Sequence, residues 1–140
     1  MIKKIVYTPG AFDLFHIGHV NLLRRAKEIA KILIVGVDTD ESIKAFKGRY
    51  PIIPYHERVA IIQACRWVDR TVSNNNGCVD VKQLLGLGIE VVALGRDEDW
   101  RWEALVGYTE ARQILGIEFI RIPYTGGISS TEIKKRIMEG

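Results

Sequence analysis

Five short apolar runs, each followed by a helical pattern, constrain what this chain can fold into more than any other feature. Lys31 to Val37 reads Lys-Ile-Leu-Ile-Val-Gly-Val, apolar on consecutive positions as in a strand covered on both faces. Ile2 to Tyr7, Arg70 to Ser73, Ile89 to Leu94 and Ile117 to Ile122 also read as strands. Between them apolar residues recur at spacings of three and four. Leu22, Leu23, Ala26, Ile29 and Ala30 form one such stripe in a helix expected from about Val20 to Ala30. Further helices are expected from Asp38 through about Phe46, Tyr55 to about Trp67, Val79 to Leu85 with a stop at Gly86 or Gly88, Glu103 to Leu115, and onward from near Ser129. This alternation predicts an α/β fold, a doubly wound parallel sheet of five strands with helices on both faces. Ligands in such sheets sit beyond the C-terminal strand ends. The polar clusters Gly10 to His19, Asp38 to Lys47, Gly95 to Trp102 and Tyr124 to Thr131 each follow a strand.

The chain's 140 residues suit a single domain spanning 1–140 and leave no room for an appended one. A net charge of +3 fits a small anionic ligand better than nucleic acid, which would call for a denser basic stripe with interleaved aromatics. No apolar run approaches 18 residues and no basic-plus-apolar leader is present, so a cytoplasmic protein without membrane contact is expected. Cys65 and Cys78 are too few and wrongly spaced for a disulfide framework or zinc site, and read as reduced structural thiols.

Gly10 to His19, Gly-Ala-Phe-Asp-Leu-Phe-His-Ile-Gly-His, joins the first strand to the first helix. Gly10 and Gly18 allow close backbone approach. A helix N-terminus supplies free N–H groups and the positive end of a dipole. His16 and His19 fall on the same side of the first turn, and Asp13 converges on the same mouth. A metal held by Asp13, His16 and His19 is an alternative, although magnesium prefers oxygen and is more naturally carried by a triphosphate, with Asp13 as a further ligand. After the second strand, Asp38-Thr39-Asp40-Glu41 offers a helix cap, and Lys44 and Lys47 can reach a phosphate. Arg58 reads equally as an ion-pair partner within the fold. Ser129-Ser130-Thr131-Glu132 is a capping box that, opened by Gly126 and Gly127, can also present N–H groups and hydroxyls to phosphates. In Gly95-Arg96-Asp97, Asp97 can accept from the amino group of cytosine, and equally from that of adenine. Trp100 and Trp102 read as packing or as a shelf for a base.

Gly-x-Phe-Asp-x-x-His-x-Gly-His, the Lys-Gly pair before Glu57-Arg58, Cys-Arg-Trp-Val-Asp at 65 to 69, and Gly-Ile-Ser-Ser-Thr-x-Ile resemble, in this order, the cytidylyltransferase family. The resemblance covers essentially the whole chain, and its closest subtype is the short glycerol-3-phosphate cytidylyltransferases. It implies a Rossmann-like homodimer that transfers CMP from CTP to a small phosphorylated alcohol with help from Mg²⁺. It assigns catalysis to His16, His19 and Lys47, and the nucleotide to Gly10, Ala11, Phe12, Asp13, Gly18, Arg66, Gly95, Asp97, Ile128, Ser129, Ser130 and Thr131. The acceptor falls to Lys44, Lys47 and Asp40. The chain departs from the family at Tyr124, where arginine is common, leaving Arg121 or Arg49 to supply that charge. The alternatives are an adenylyltransferase of the same superfamily, including the flavin type, whose loop also resembles Lys-Gly-Arg-x-Pro-Ile-Ile-Pro, and a catalytically silent nucleotide-binding module.

Overall fold

β1 (Lys4–Gly10) is the middle strand of a parallel sheet ordered β3-β2-β1-β4-β5. The computed structural model describes residues 4–96 and 99–140. Along the chain follow α1 (Ile17–Glu28), β2 (Ala30–Asp38), α2 (Asp40–Lys47), α3 (Tyr55–Gln63), β3 (Arg70–Asn74) and α4 (Val81–Leu87). Next come β4 (Val91–Gly95), α5 (Tyr108–Gln113), β5 (Glu118–Ile122) and α6 (Ser130–Glu139). This is the expected single-domain, Rossmann-like α/β sheet.

Alternate residues of the central strands feed two cores, as the two-residue period of a strand requires. Val6, Leu33, Val35, Val37, Val91 and Ala93 pack against Leu23 and Ala26 of α1 and Ile62 of α3. Tyr7, Ile34, Val92 and Leu94 face Leu84 of α4 and Ala111 of α5. With both faces covered, the strands read as unbroken apolar runs. The strand order reverses between β1 and β4, so a crevice opens there at the C-terminal edge.

Several boundaries differ from expectation for local reasons. β1 runs on to Gly10 because Thr8 to Gly10 keep register with Val35 to Val37. α1 starts at Ile17, since His16 is its N-cap. Thr39, not Asp38, caps α2, its Oγ1 accepting from Ser42 N at 3.1 Å. Asp38 is instead buried, each carboxylate oxygen accepting an amide N–H, from Asn74 and Asn76, at 2.7 Å. The helix expected over Glu103 to Leu115 is broken into a 3₁₀ turn at Trp102–Ala104 and α5. Gly107 lies between them at φ 88°, and a Cβ there would come within 2.4 Å of the Val79 carbonyl. Val79 N donates to Val106 O at 2.7 Å and Val106 N to Gly77 O at 3.2 Å, so pairing with the 77–79 segment overrides the helical pattern.

Candidate active site

A cavity of about 540 Å³ opens past the ends of β1 and β4. Its walls are the β1–α1 loop, the first turn of α1, the loop after α2, Gly95 and Arg96, and the segment leading into α6.

Two histidines start α1 and line the cavity together. His16 Nδ1 accepts from Gly18 N at 3.1 Å, and His19 Nδ1 accepts from His16 N at 3.2 Å. This is a reciprocal capping box built from imidazoles rather than from a hydroxyl and a carboxylate. Because both Nδ1 atoms accept, each neutral ring carries its proton on Nε2. The rings stack with centroids 3.8 Å apart. Burial, then the neighbouring His16, holds His19 down to about 3, and burial lowers His16 as well. At neutral pH the pair therefore offers two uncharged N–H donors. Gly18 makes room for this: a Cβ there would lie 2.8 Å from His16 Cε1. Gly10 likewise clears space for the Phe12 ring, so both glycines accommodate the protein's own side chains rather than a ligand. Phe12 and Leu14 hold positive φ, 53° and 50°, a strained geometry for residues of this kind.

Asp13 and Arg58 lock that strained loop in place. Asp13 Oδ2 accepts from Ile52 N at 2.8 Å and Oδ1 from Ile53 N at 2.9 Å. Arg58, fully buried, donates to Ala11 O at 2.6 Å, Ile53 O at 2.8 Å and Asp40 Oδ1 at 2.7 Å. The other Asp40 oxygen accepts from Tyr55 N at 3.2 Å. One guanidinium thus ties the β1–α1 loop, the loop before α3 and the start of α2 together.

On the facing wall, Ser129 caps α6 by accepting from Glu132 N at 3.0 Å, and Ser130 Oγ donates to Asp13 O at 2.8 Å. The capping box thus does structural work, and Ile128, Ser129, Ser130 and Thr131 still line the cavity. Asn21 reaches the same segment, donating to Thr125 Oγ1 at 3.0 Å.

Gly10, Ala11, Phe12, Asp13, His16, Gly18, His19, Lys47 and Gly95 are brought to the cavity as well. Four other candidates are placed differently. Arg66 follows the end of α3, which runs back from the mouth, and its guanidinium lies over Trp67 at 5.2 Å, away from the cavity. Lys44 donates to Gly48 O at 2.9 Å and sits over the Tyr50 ring, closing the C-terminal end of α2. Asp40 has both oxygens engaged in the frame around Arg58, a task that the sequence reading did not include. Asp97 lies outside the described residues. Of the two arginines considered as replacements at Tyr124, Arg49 lines the cavity, whereas Arg121 donates to Arg96 O at 3.3 Å. Trp102 packs against Tyr108 and Phe119, and Trp100 lies under Arg96 at 4.6 Å. Lys134, Tyr50 and Arg96 line the cavity without having been singled out from the sequence.

Among the described residues no group of three or more His, Cys, Asp or Glu is placed to hold a metal ion. The alternative of a site formed by Asp13, His16 and His19 meets a chemical obstacle, because both Nδ1 atoms and both Asp13 oxygens accept backbone N–H groups. Asp13 is the one carboxylate among the described cavity residues, facing Lys47, Arg49, Arg96 and Lys134. The cavity is thus built for a polyanion, with donors and cations on several sides.

An α/β sheet with a switch-point cavity and helix N-termini at its mouth defines a nucleotide-binding domain, and the comparisons agree. The cytidylyltransferase-like family model matches residues 7–136, and the chain belongs to that family. It is thereby a nucleotidyltransferase of the cytidylyltransferase-like superfamily. It is 38% identical over 138 residues to a protein named FAD synthase from Pyrococcus abyssi, covering 96% of this chain and 92% of the relative. An ethanolamine-phosphate cytidylyltransferase from Dictyostelium discoideum is also 38% identical, over 97% of this chain but 38% of the relative. Among solved structures, the lipopolysaccharide core biosynthesis protein from Thermoplasma volcanium superposes with a TM-score of 0.72 at 27% identity, covering 87% of this chain and 98% of that one. Among the described residues no helix is long and apolar enough to cross a membrane.

Proposed function

We propose that this chain transfers CMP from CTP to a small phosphorylated alcohol such as glycerol 3-phosphate, releasing pyrophosphate. A phosphate oxygen of the acceptor attacks the α-phosphorus, and the bond from that phosphorus to the bridging oxygen of the leaving pyrophosphate breaks. Such a displacement needs no covalent protein intermediate, so positioning and charge stabilisation supply the catalysis. The observation that carries this reading is the stacked pair of neutral imidazoles with both Nδ1 atoms committed to the backbone. Their Nε2–H groups are donors fixed before substrate arrives, suited to charge growing on the α-phosphate and the bridging oxygen. Lys47, on the opposite wall, supplies a point charge for the acceptor phosphate or the α-phosphate. Mg²⁺ belongs to this proposal as an ion carried by the triphosphate, where it would offset phosphate charge. The homodimer and cytoplasmic location implied by the resemblance belong to it too, the first open to sedimentation analysis.

A second reading is adenylyl transfer. It is favoured by the relatives named FAD synthase and by the Lys-Gly-Arg-Tyr-Pro-Ile-Ile-Pro loop. Pyrophosphate release measured with CTP, ATP, UTP and GTP against phosphorylated alcohols and FMN decides between them. Turnover confined to CTP supports the first reading. Turnover confined to ATP replaces it with the second, and no turnover with any pair overturns both.

A further inference from the structure

α6 carries three consecutive basic residues with different surroundings. Arg136 pairs with Glu132 at 3.5 Å and Lys135 with Glu139 at 3.9 Å, both side chains more than half exposed. Lys134 is half-buried, lines the cavity, and has no carboxylate partner among the described residues. Its position on the helix makes this arrangement costly. Residues three and four apart share a helix face, and helical side chains lean toward the N-terminus. Lys134 therefore shares the face of Ser130 and Thr131 and inclines toward the positive end of the helix dipole, where a cation is disfavoured. Ser129 and Ser130 offset part of that end through the cap and the bond to Asp13, but neither brings negative charge. A bound polyanion would compensate both the lysine and the dipole at once.

We propose that Lys134 is a binding residue for the pyrophosphate half of the nucleoside triphosphate, setting the preference of the site for triphosphates over monophosphates. The assignment rests on the nucleotidyl-transfer reading above. The histidine pair marks the wall where the α-phosphate reacts, and α6 forms the facing wall, so the distal phosphates extend toward Lys134. The terminal phosphates carry most of the ligand's charge, and an ammonium on the inner face of α6 acts on them and not on the nucleoside. Loss of one charge-assisted contact there corresponds to about a tenfold change in affinity or more.

The test is calorimetric titration of wild-type protein, K134Q, K134R and K135Q with CTP, ATP, CMP and inorganic pyrophosphate. K134Q should bind the triphosphates and pyrophosphate about tenfold more weakly or worse, with CMP affinity little changed. K134R should recover most of the loss, and K135Q, on the outer face, should match wild type. Three results would overturn the assignment alone: K134Q binding triphosphate and pyrophosphate as wild type does, K134Q losing CMP as steeply as CTP, or K135Q losing as much as K134Q. Wild-type protein that binds neither triphosphate nor pyrophosphate would overturn the nucleotidyl-transfer reading along with it. Thermal melts of each variant confirm that folded protein is compared.

Discussion

The Ser130 hydroxyl donates to the Asp13 carbonyl at 2.8 Å, joining residues 117 apart in the chain. Through this bond the first turn of α6 is fixed against the loop that leads to the histidines. The two helix N-termini at the mouth are thereby held in register. Removing the hydroxyl in Ser130→Ala should lower stability by about 1 kcal/mol. The larger consequence should be a rise in KM for the nucleotide of several-fold, read from steady-state pyrophosphate release. An unchanged KM would show that α6 keeps its place without this bond.

Arg58 is the keystone of the scaffold. Arg58→Met should cost about 3 kcal/mol or more in urea unfolding, because it strands Asp40 and the carbonyls of Ala11 and Ile53. Arg58→Lys should recover little, as a single ammonium cannot serve three directions. A lysine variant as stable as wild type would contradict this account.

For the histidine pair, substitutions that keep the helix cap separate chemistry from folding. Asparagine is a good N-cap but lacks the distal N–H group. His16→Asn should retain its melting temperature within a few degrees while kcat falls by about 10²-fold, as for the loss of one donor to a developing charge. His19→Ala should lower kcat comparably and add a loss of stability. Near wild-type kcat in both folded variants would remove the histidines from the mechanism.

Gly18→Ala tests the same geometry from the backbone side. The added methyl would meet the His16 ring at 2.8 Å, and alanine favours the helix by roughly 0.5–1 kcal/mol. The expected outcome is a protein at least half as active in binding nucleotide, close to wild type in stability, and reduced at least tenfold in kcat. Unimpaired turnover would mean that the ring tolerates displacement.

The pH dependence of stability follows from His19. Its folded pKa, about 3, lies below the ordinary value near 6.5, so between those values the unfolded chain binds more protons. Stability therefore rises with pH across that window and is lost as the solution is acidified, at a slope of up to about 1.4 kcal/mol per pH unit. His19→Gln lacks this contribution. Denaturant unfolding of both proteins at pH 7, 6 and 5 should show the gap between them narrowing toward acid. A gap independent of pH would place the folded pKa near its ordinary value.

Buried strands and the histidine motif were legible because both are local patterns. Lys31 to Val37 declares its burial in seven letters, and Gly10 to His19 contains the cap, the donors and the glycine that lets them stack. What escaped depends on partners far along the chain. Nothing near Asp13 shows that its carboxylate anchors Ile52 and Ile53, and nothing near Glu103 shows that Gly107 breaks the helix by packing on Val79. Arg66 was misplaced because its neighbours suggest a motif, whereas the direction of α3 carries it to the far side of the sheet. Lys134 had a readable signal in its spacing of four from Ser130, hidden by two similar basic residues beside it.

The hydrogen bonds of the mouth divide its residues into two groups with different freedom to change. Asp13, His16, His19, Ser129 and Ser130 are bound into the backbone of neighbouring loops, so a substitution at any of them disturbs folding and reaction together. Tyr50 and Tyr124 stand more than half exposed at the same cavity, and their replacement leaves that backbone network whole. Natural variation in the acceptor can therefore accumulate on the rim by single steps, each yielding a folded, chemically competent protein. Relatives bearing such different names can share one reaction frame, and redesign of this chain toward a new acceptor has its natural starting points at Tyr50 and Tyr124.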